Sequence, residues 1–240
     1  LILYYKDMLF TAHLRTPFIG GSLFFDDVVS SPFGLMKWAG CWLTQFCYYP
    51  LLGILLYLAL WSLTYFFAVK ALGLSDKWYP LIIIPLGCLL LSVVDLGYWI
   101  YCMTEFGYWF SHSLAYLLMY GFLFLARKTM EKENLAVYGI VLITILLYPI
   151  LGWYSILLSV MLVVLEWKTL RTKSLLFLLP CLSPLLWGLL TYHNISARDL
   201  WLGGFPVFED GAKISLRPAV PFISLAVFSI LLTFFPKKKK

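Results

Sequence analysis

Acidic and imidazole side chains lie at the edges of apolar segments in this sequence, where they could carry out acid–base chemistry. Asp95, Tyr98, Cys102 and Glu105 have helical spacing, so they form one stripe on a predicted helix. His112 opens the next apolar segment. Because an ionisable group inside a membrane is costly and is kept for a partner or a purpose, we predict catalytic roles for Asp95 and His112.

A second acidic feature is the adjacent pair Asp26 and Asp27, which stands between two apolar dipeptides. A carboxylate can act as a general base toward a hydroxyl group, so both aspartates join the predicted catalytic residues. Carboxylates also bind divalent cations, and such an ion stays open as a cofactor. The five cysteines show no paired framework or CxxC spacing, so the sequence marks no metal site and no disulfide.

Arginines predicted on the same side of the membrane could hold a phosphate through paired hydrogen bonds. The residues predicted to bind substrate are Tyr98, Glu105, His193, Arg198 and Arg217. This inventory suits the transfer of a sugar or a similar group from a polyprenyl-phosphate carrier at the outer leaflet. Asp26 or Asp27 would deprotonate the acceptor hydroxyl, and Arg198 or Arg217 would hold the leaving phosphate.

Each of these residues also has a purely structural interpretation. Asp95 could pair with a hydroxyl or an arginine of a neighbouring helix, and His112 with a backbone carbonyl. Glu105 could be solvated in a short loop, and His193 could be an ordinary interfacial residue. Asp26 and Asp27 could cap the start of a helix. The functional interpretation depends on the combination, because all of these groups fall on one predicted side of the membrane.

The elements that would position these groups are apolar helices. Hydrophobic residues make up 62% of the chain, charged residues 12%, and mean hydropathy is +0.88. A bilayer core near 30 Å requires roughly 20 apolar residues per helix, and the sequence contains seven candidate spans: 50–69, 79–101, 108–126, 135–150, 152–166, 174–192 and 218–236. The fourth and fifth are either two short helices joined by a tight outer turn, which we prefer, or one kinked helix. We therefore predict an all-α polytopic transmembrane bundle.

Basic clusters follow every second crossing and predict the orientation of the chain. They are Lys70 with Lys77, Arg127 with Lys128 and Lys132, Lys168 with Arg171 and Lys173, and Lys237 to Lys240. Basic loops stay in the cytoplasm, so residues 1–49 form an extracytoplasmic segment with an interfacial helix over 33–48, 50–236 the bundle, and 237–240 a cytoplasmic tail. We expect a multi-pass protein of the bacterial inner membrane. The net charge of +6 lies at helix ends and does not indicate nucleic acid as a partner.

The ends of the sequence suggest a longer protein. Leu1 to Tyr5 have the composition of the end of an apolar stretch, so we expect an earlier membrane span before them. The terminal lysines are either a cytoplasmic anchor or the start of a soluble region.

Two resemblances add to this interpretation. The acidic pair in an outer loop, the interfacial helix after it and the short outer turns, over roughly residues 20–170, resemble the GT-C superfamily of lipid-linked-sugar glycosyltransferases. That resemblance implies catalysis by Asp26 and Asp27. The segment 43–53 is similar to a family of uncharacterised bacterial multi-spanning proteins with a soluble helical-repeat region, which implies no activity.

Two other functions stay open. In a transporter, Asp95 and His112 would form a polar relay, and Pro85, Pro180 and Pro184 would mark broken helices. A non-catalytic subunit would instead present its outer segment to other membrane proteins. Convergent carboxylates in an outer cavity would favour the enzyme, a polar path through the bundle the transporter, and an exposed apolar face on the loops the subunit. The expected partners are thus the lipid bilayer, a polyprenyl-phosphate-linked substrate and other membrane subunits.

Overall fold

A computed structural model describes residues 2–94, 105–131, 135–205, 208–210, 213–215 and 219–237. Its α-helices are α1 (Ile2–Arg15), α2 (Ser22–Val29), α3 (Gly34–Thr44), α4 (Pro50–Leu72), α5 (Ile83–Val94), α6 (Tyr108–Met130), α7 (Ala136–Leu146), α8 (Tyr148–Leu151), α9 (Trp153–Leu170), α10 (Ser183–Leu190), α11 (Ala197–Trp201) and α12 (Val220–Phe234). Three 3₁₀ segments lead into or out of them: Gln45–Tyr48, Asp76–Ile82 and Arg171–Leu182. The predicted all-α class is confirmed, with one addition. Strands β1 (Phe208–Asp210) and β2 (Lys213–Ser215) pair antiparallel.

The long helices have the length and composition of membrane spans. Four continuous helical segments qualify: Pro50–Leu72, Asp76–Val94, Tyr108–Met130 and Trp153–Leu190. Two shorter apolar helices, Ala136–Leu146 and Val220–Phe234, accompany them. Large apolar side chains cover the outside of these helices, as Leu55 and Leu189 do at 53% and 78% exposure. Such an exterior fits a lipid environment, so these helices indicate a multi-pass membrane protein.

Two residues with positive φ reverse the chain. Gly152, at φ 55° and ψ −132°, separates α8 from α9, and Arg171, at φ 50° and ψ −123°, separates α9 from the 3₁₀ segment that follows. That segment packs back along α9, so the 38-residue stretch Trp153–Leu190 is a helical hairpin rather than one rod. Because α9 begins beside the start of α6 and ends beside its end, α7 and α8 run in the opposite direction. The predicted turn is present, and the single kinked helix is wrong.

Contacts at the two ends of α6 define the ends of the bundle. At one end Arg127 bonds both Glu166 of α9 and the carbonyl of Ala71 in α4. Lys237, just after α12, donates to the carbonyl of Leu165 there. We call this the basic end, because the predicted basic clusters that the structure describes lie there. At the opposite end, the cavity end, α6 starts at Tyr108.

The N-terminal helices cover the cavity end. The helix predicted over 33–48 is confirmed as α3 with the 3₁₀ segment after it, and its buried face packs on α6. Glycines permit the crossing: a Cβ on Gly40 would lie 3.0 Å from the Ser111 nitrogen, and one on Gly107 would lie 2.6 Å from the Cys41 nitrogen. Asp26 and Asp27 lie in the second half of α2, so their interpretation as a helix-start cap is wrong.

Candidate functional site

Glu105 and His112 form a carboxylate–imidazole pair, largely shielded from water, at the cavity end. Glu105 Oε2 lies 3.7 Å from His112 Nε2, and the two side chains are 15% and 3% exposed. Between them Gly107 has φ 66°, a conformation that favours glycine, and turns the chain into the first turn of α6. From the sequence, Glu105 and His112 are known only to be seven positions apart in the chain. The glycine turn and the crossing of α3 bring the carboxylate onto the imidazole.

The second nitrogen of His112 faces Tyr154 of α9. The tyrosine hydroxyl lies 3.3 Å from Nδ1. When Nε2 carries the proton toward Glu105, Nδ1 accepts a hydrogen bond from the Tyr154 hydroxyl. The three side chains therefore form a carboxylate–imidazole–phenol row, in which Tyr154 orients the imidazole and the imidazole faces the carboxylate.

Phe33 fixes the orientation of this row. Its ring stacks on His112 with centroids 5.3 Å apart, and Phe222 contacts the imidazole at 4.5 Å. Phe33 has φ 69°, an unusual conformation for a bulky residue. It is held there because its N–H donates to the carbonyl of Pro149 at 2.9 Å, and because Gly204 leaves room for the ring.

A cavity of about 390 Å³ opens beside the carboxylate of the pair. Four of its lining residues carry charge: Lys37, Glu105, Arg198 and Asp199. Asp199 is anchored, since its Oδ2 accepts a hydrogen bond from Ser196 at 2.7 Å. Lys37 is half-buried on α3, and Arg198 is exposed on α11. Cations from two separate elements thus line the same cavity as the Glu105 carboxylate.

The pKa of Glu105 reflects this environment. Burial acts to raise it, but the hydrogen bonding and charge of His112 and the charge of Lys37 outweigh burial and hold the pKa below its usual range. Glu105 is therefore ionised at neutral pH. Its other oxygen, Oε1, is buried without a hydrogen-bond partner. Buried carboxylate oxygens are normally satisfied, so a donor from a ligand in the cavity would complete this site.

Comparison with known proteins places the chain in a family. A model described as "Family of unknown function (DUF6057)" matches residues 1–240. The chain belongs to this family. No curated protein and no solved structure matches it. Membership of the DUF6057 family carries no activity with it, so the function must be argued from the geometry of the site.

The structure brings together some of the predicted site residues and leaves others apart. Glu105 and His112 are paired, and Arg198 lines the same cavity as Glu105. His193 is exposed in the turn after α10 and does not line the cavity. Asp95, Tyr98 and Arg217 lie outside the described residues.

Asp26 and Asp27 are placed differently from the other candidates. Both are exposed on α2 and neither lines the cavity. Their backbone carbonyls accept hydrogen bonds from Ser30, that of Asp26 from the N–H and that of Asp27 from the hydroxyl. Their catalytic role stays a prediction.

Sequence reasoning missed two residues of the site, Lys37 and Tyr154. Lys37 is the one cation in the aromatic segment 33–48, and that isolation was the available signal. Tyr154 follows the Gly152 turn, and nothing in the sequence indicates that it reaches His112. In the part of the chain that the structure describes, no group of three or more His, Cys, Asp or Glu side chains could hold a metal ion.

Proposed function

We propose that this protein is a membrane-embedded transferase that moves a sugar or a similar group from a polyprenyl-phosphate carrier at the cavity end. The observation that supports the proposal most directly is the buried Glu105 Oε1, which has no partner and belongs to a carboxylate lining a cavity with Lys37 and Arg198. A hydroxyl acceptor supplies the missing donor, and the two cations suit a phosphate.

The chemistry assigns one role to each group. The acceptor hydroxyl donates its proton to Glu105 Oε1 as its oxygen bonds to the anomeric carbon of the donor. The bond from that carbon to the phosphate oxygen breaks, and the electron pair leaves with the phosphate. Lys37 and Arg198 offset the charge of the departing phosphate. The proton stays on Glu105 Oε1 at the end of the step, the Nε2–H of His112 stabilises the ionised form of Glu105 before it, and Tyr154 keeps the imidazole in place.

Two carboxylate variants test this proposal against the alternative base. The protein is reconstituted in liposomes with radiolabelled polyprenyl-phosphate hexoses and pentoses, and transfer to water-soluble or lipid acceptors is measured. Glu105→Gln keeps the size of the side chain and removes the base, so transfer should fall by about 100-fold or more. Asp26→Asn with Asp27→Asn is the matched control and should retain transfer.

Three results would count against the assignment. Full activity in Glu105→Gln would remove Glu105 from the mechanism. Loss in the Asp26/Asp27 variant alone would restore those aspartates as the catalytic pair. A wild-type protein that transfers nothing from any of these donors, while correctly folded, would reject the transferase.

A specific observation also favours a non-catalytic subunit. The region of α2 exposes large apolar side chains, with Ile19 at 60%, Leu23 at 85% and Phe25 at 38%. Exposed apolar patches mark interaction surfaces. If this surface binds a membrane partner, Leu23→Asp with Phe25→Asp should release a stoichiometric subunit from the natively purified complex, as measured by native mass spectrometry. Leu135→Asp, at a position 80% exposed at the other end of the bundle, should not.

A further inference from the structure

A second cavity lies at the basic end, far from the site described above. Its volume is about 830 Å³, and α9 and the end of α12 form its walls. Val163, Val164 and Trp167 come from α9, and Phe234 and Phe235 from the end of α12. Trp167 is 50% exposed and Phe234 69%. The groove is thus open to the surroundings of the helices and apolar along its length.

Two lysines complete the groove. Lys168 and Lys237 line it, and among the described residues that form its walls none is acidic. The nearest carboxylate in sequence, Glu166, is engaged by Arg127 at 2.9 Å. Lys237 donates to the Leu165 carbonyl at 3.1 Å, and an ammonium has three N–H donors, so two are left after this bond. The positive charge at the groove therefore lacks an acidic partner within its lining.

The electrostatics of Lys237 agree with this arrangement. Burial lowers its pKa, the positive charges of Arg127 and Lys168 lower it further, and the charge of Glu166 does not fully compensate. A cation held among cations is stabilised by an added anion, since like charges at short range oppose each other. A phosphate at this point would relieve the repulsion between Lys168 and Lys237.

We propose that this groove binds one anionic phospholipid, with an acyl chain along the α9–α12 wall and the phosphate headgroup between Lys168 and Lys237. Apolar walls with a cationic rim between transmembrane helices match the two parts of such a lipid. Trp167 at the rim suits the headgroup level of a bilayer. The groove also lies at the end predicted to face the cytoplasm, where anionic lipids give the leaflet a negative surface.

The test uses the full chain in bilayers of phosphatidylcholine doped with brominated lipid. Bromine quenches nearby tryptophan, and the part due to Trp167 is the difference between the wild type and Trp167→Phe. Brominated phosphatidylglycerol should quench Trp167 at lower mole fraction than brominated phosphatidylcholine. Lys168→Gln with Lys237→Gln should reduce that preference about tenfold or more.

Matched variants distinguish specific binding in the groove from general electrostatic attraction of anionic lipid to the protein. The control variant, Lys70→Gln with Lys128→Gln, removes the same amount of charge away from the groove. Lys70 lies at the end of α4 and Lys128 in the last turn of α6. This variant should keep the preference for phosphatidylglycerol. Val164→Phe adds bulk to the groove without adding a tryptophan, leaves both lysines, and should also reduce the preference. Equal losses in the two lysine pairs, or no preference in the wild type, would overturn the proposal. Competition by inorganic phosphate in place of lipid would overturn it as well, because a soluble anion would then be the ligand. Dimer formation that tracks quenching would indicate a second copy in the groove.

Discussion

Arg127 Nε lies 2.9 Å from Glu166 Oε1 at the basic end and joins α6 to α9. The same guanidinium donates to the carbonyl of Ala71 at the end of α4. The two side chains are 22% and 10% exposed, so the pair is largely withdrawn from water. One arginine thus connects the ends of α4, α6 and α9, which run parallel, at the opposite end of the bundle from the cavity beside Glu105.

Removing either partner of this pair should destabilise the bundle unequally. Arg127→Met loses the ion pair and the Ala71 bond and leaves Glu166 buried, which should lower the free energy of unfolding by about 3 kcal/mol. Glu166→Gln should cost less, because the arginine keeps its bond to Ala71. Denaturation in mixed micelles measures both. A double variant, Arg127→Met with Glu166→Met, should be more stable than Arg127→Met alone; if it is less stable, the pair is not the source of the effect.

The crossing of α3 over α6 should tolerate no side chain at Gly107. Alanine there would meet the backbone of α3 and would adopt an unfavourable positive φ, so Gly107→Ala should destabilise by more than about 2 kcal/mol. Gly121, in the middle of α6, has open space where a Cβ would lie. Gly121→Ala should therefore be neutral or stabilising. Thermal unfolding of the two purified variants in detergent compares them, and similar melting temperatures would contradict the close approach.

The stability contributed by Glu105 should depend on pH with a defined sign. Its pKa in the folded protein lies below the ordinary value, so the ionised form is favoured by folding. The contribution is complete above the pKa of the unfolded chain and is lost as the pH falls through the folded pKa. Unfolding of wild type and Glu105→Gln is measured from neutral to acidic pH. The difference between them should shrink on acidification, and a constant difference would show that the carboxylate is not held ionised by its neighbours.

A buried hydroxyl cluster in the middle of the bundle should matter for stability alone. Tyr116 lies 2.7 Å from the Ser229 hydroxyl and 3.2 Å from that of Tyr120, which links α6 to α12. Tyr116→Phe removes the shared hydroxyl and should cost about 1 kcal/mol. Transfer activity and lipid quenching should stay at wild-type levels. A loss of activity equal to that of Glu105→Gln would place this cluster on a proton path from the cavity.

The buried face of α6 bears on the transporter alternative, because apolar side chains interrupt its polar residues. Below Tyr120 the buried face of the helix continues with Leu123 and Ala126 before it reaches Arg127. Hydrocarbon at these positions separates the hydroxyl cluster from the basic end. The polar residues of α6 therefore do not form a continuous described path from one end to the other.

The long helices were predictable because apolar composition indicates them. The segments predicted at 50–69 and 108–126 correspond to α4 and α6, and the turn before Trp153 corresponds to Gly152. The stretch predicted as one span at 174–192 begins instead as a 3₁₀ helix. Pro180 and Pro184 explain the difference, because proline lacks the N–H that an α-helix requires.

The site was only partly predictable, for a physical reason. Glu105 was indicated by its stripe with Asp95, and His112 by its place at the start of the next apolar segment, and neither pattern predicted their pairing. Lys37 and Tyr154 reach the site through the packing of α3 and α9 on α6, and no local pattern encodes those contacts. Asp26 and Asp27 were predicted from their adjacency, which says nothing about which cavity a helix faces, so their catalytic role stays a prediction.

The contacts of Phe33 with Pro149 and Gly204 have a consequence for biosynthesis. The N–H of Phe33 bonds the carbonyl of Pro149, and its ring packs against Gly204, roughly 170 residues later in the chain. At typical rates of translation, roughly 10 to 30 seconds separate the emergence of Phe33 from that of Gly204. For that interval the contact between Phe33 and Gly204 cannot form. The packing of Phe33 on the Glu105–His112 pair is therefore completed late, after nearly all of the surrounding helices have been synthesised.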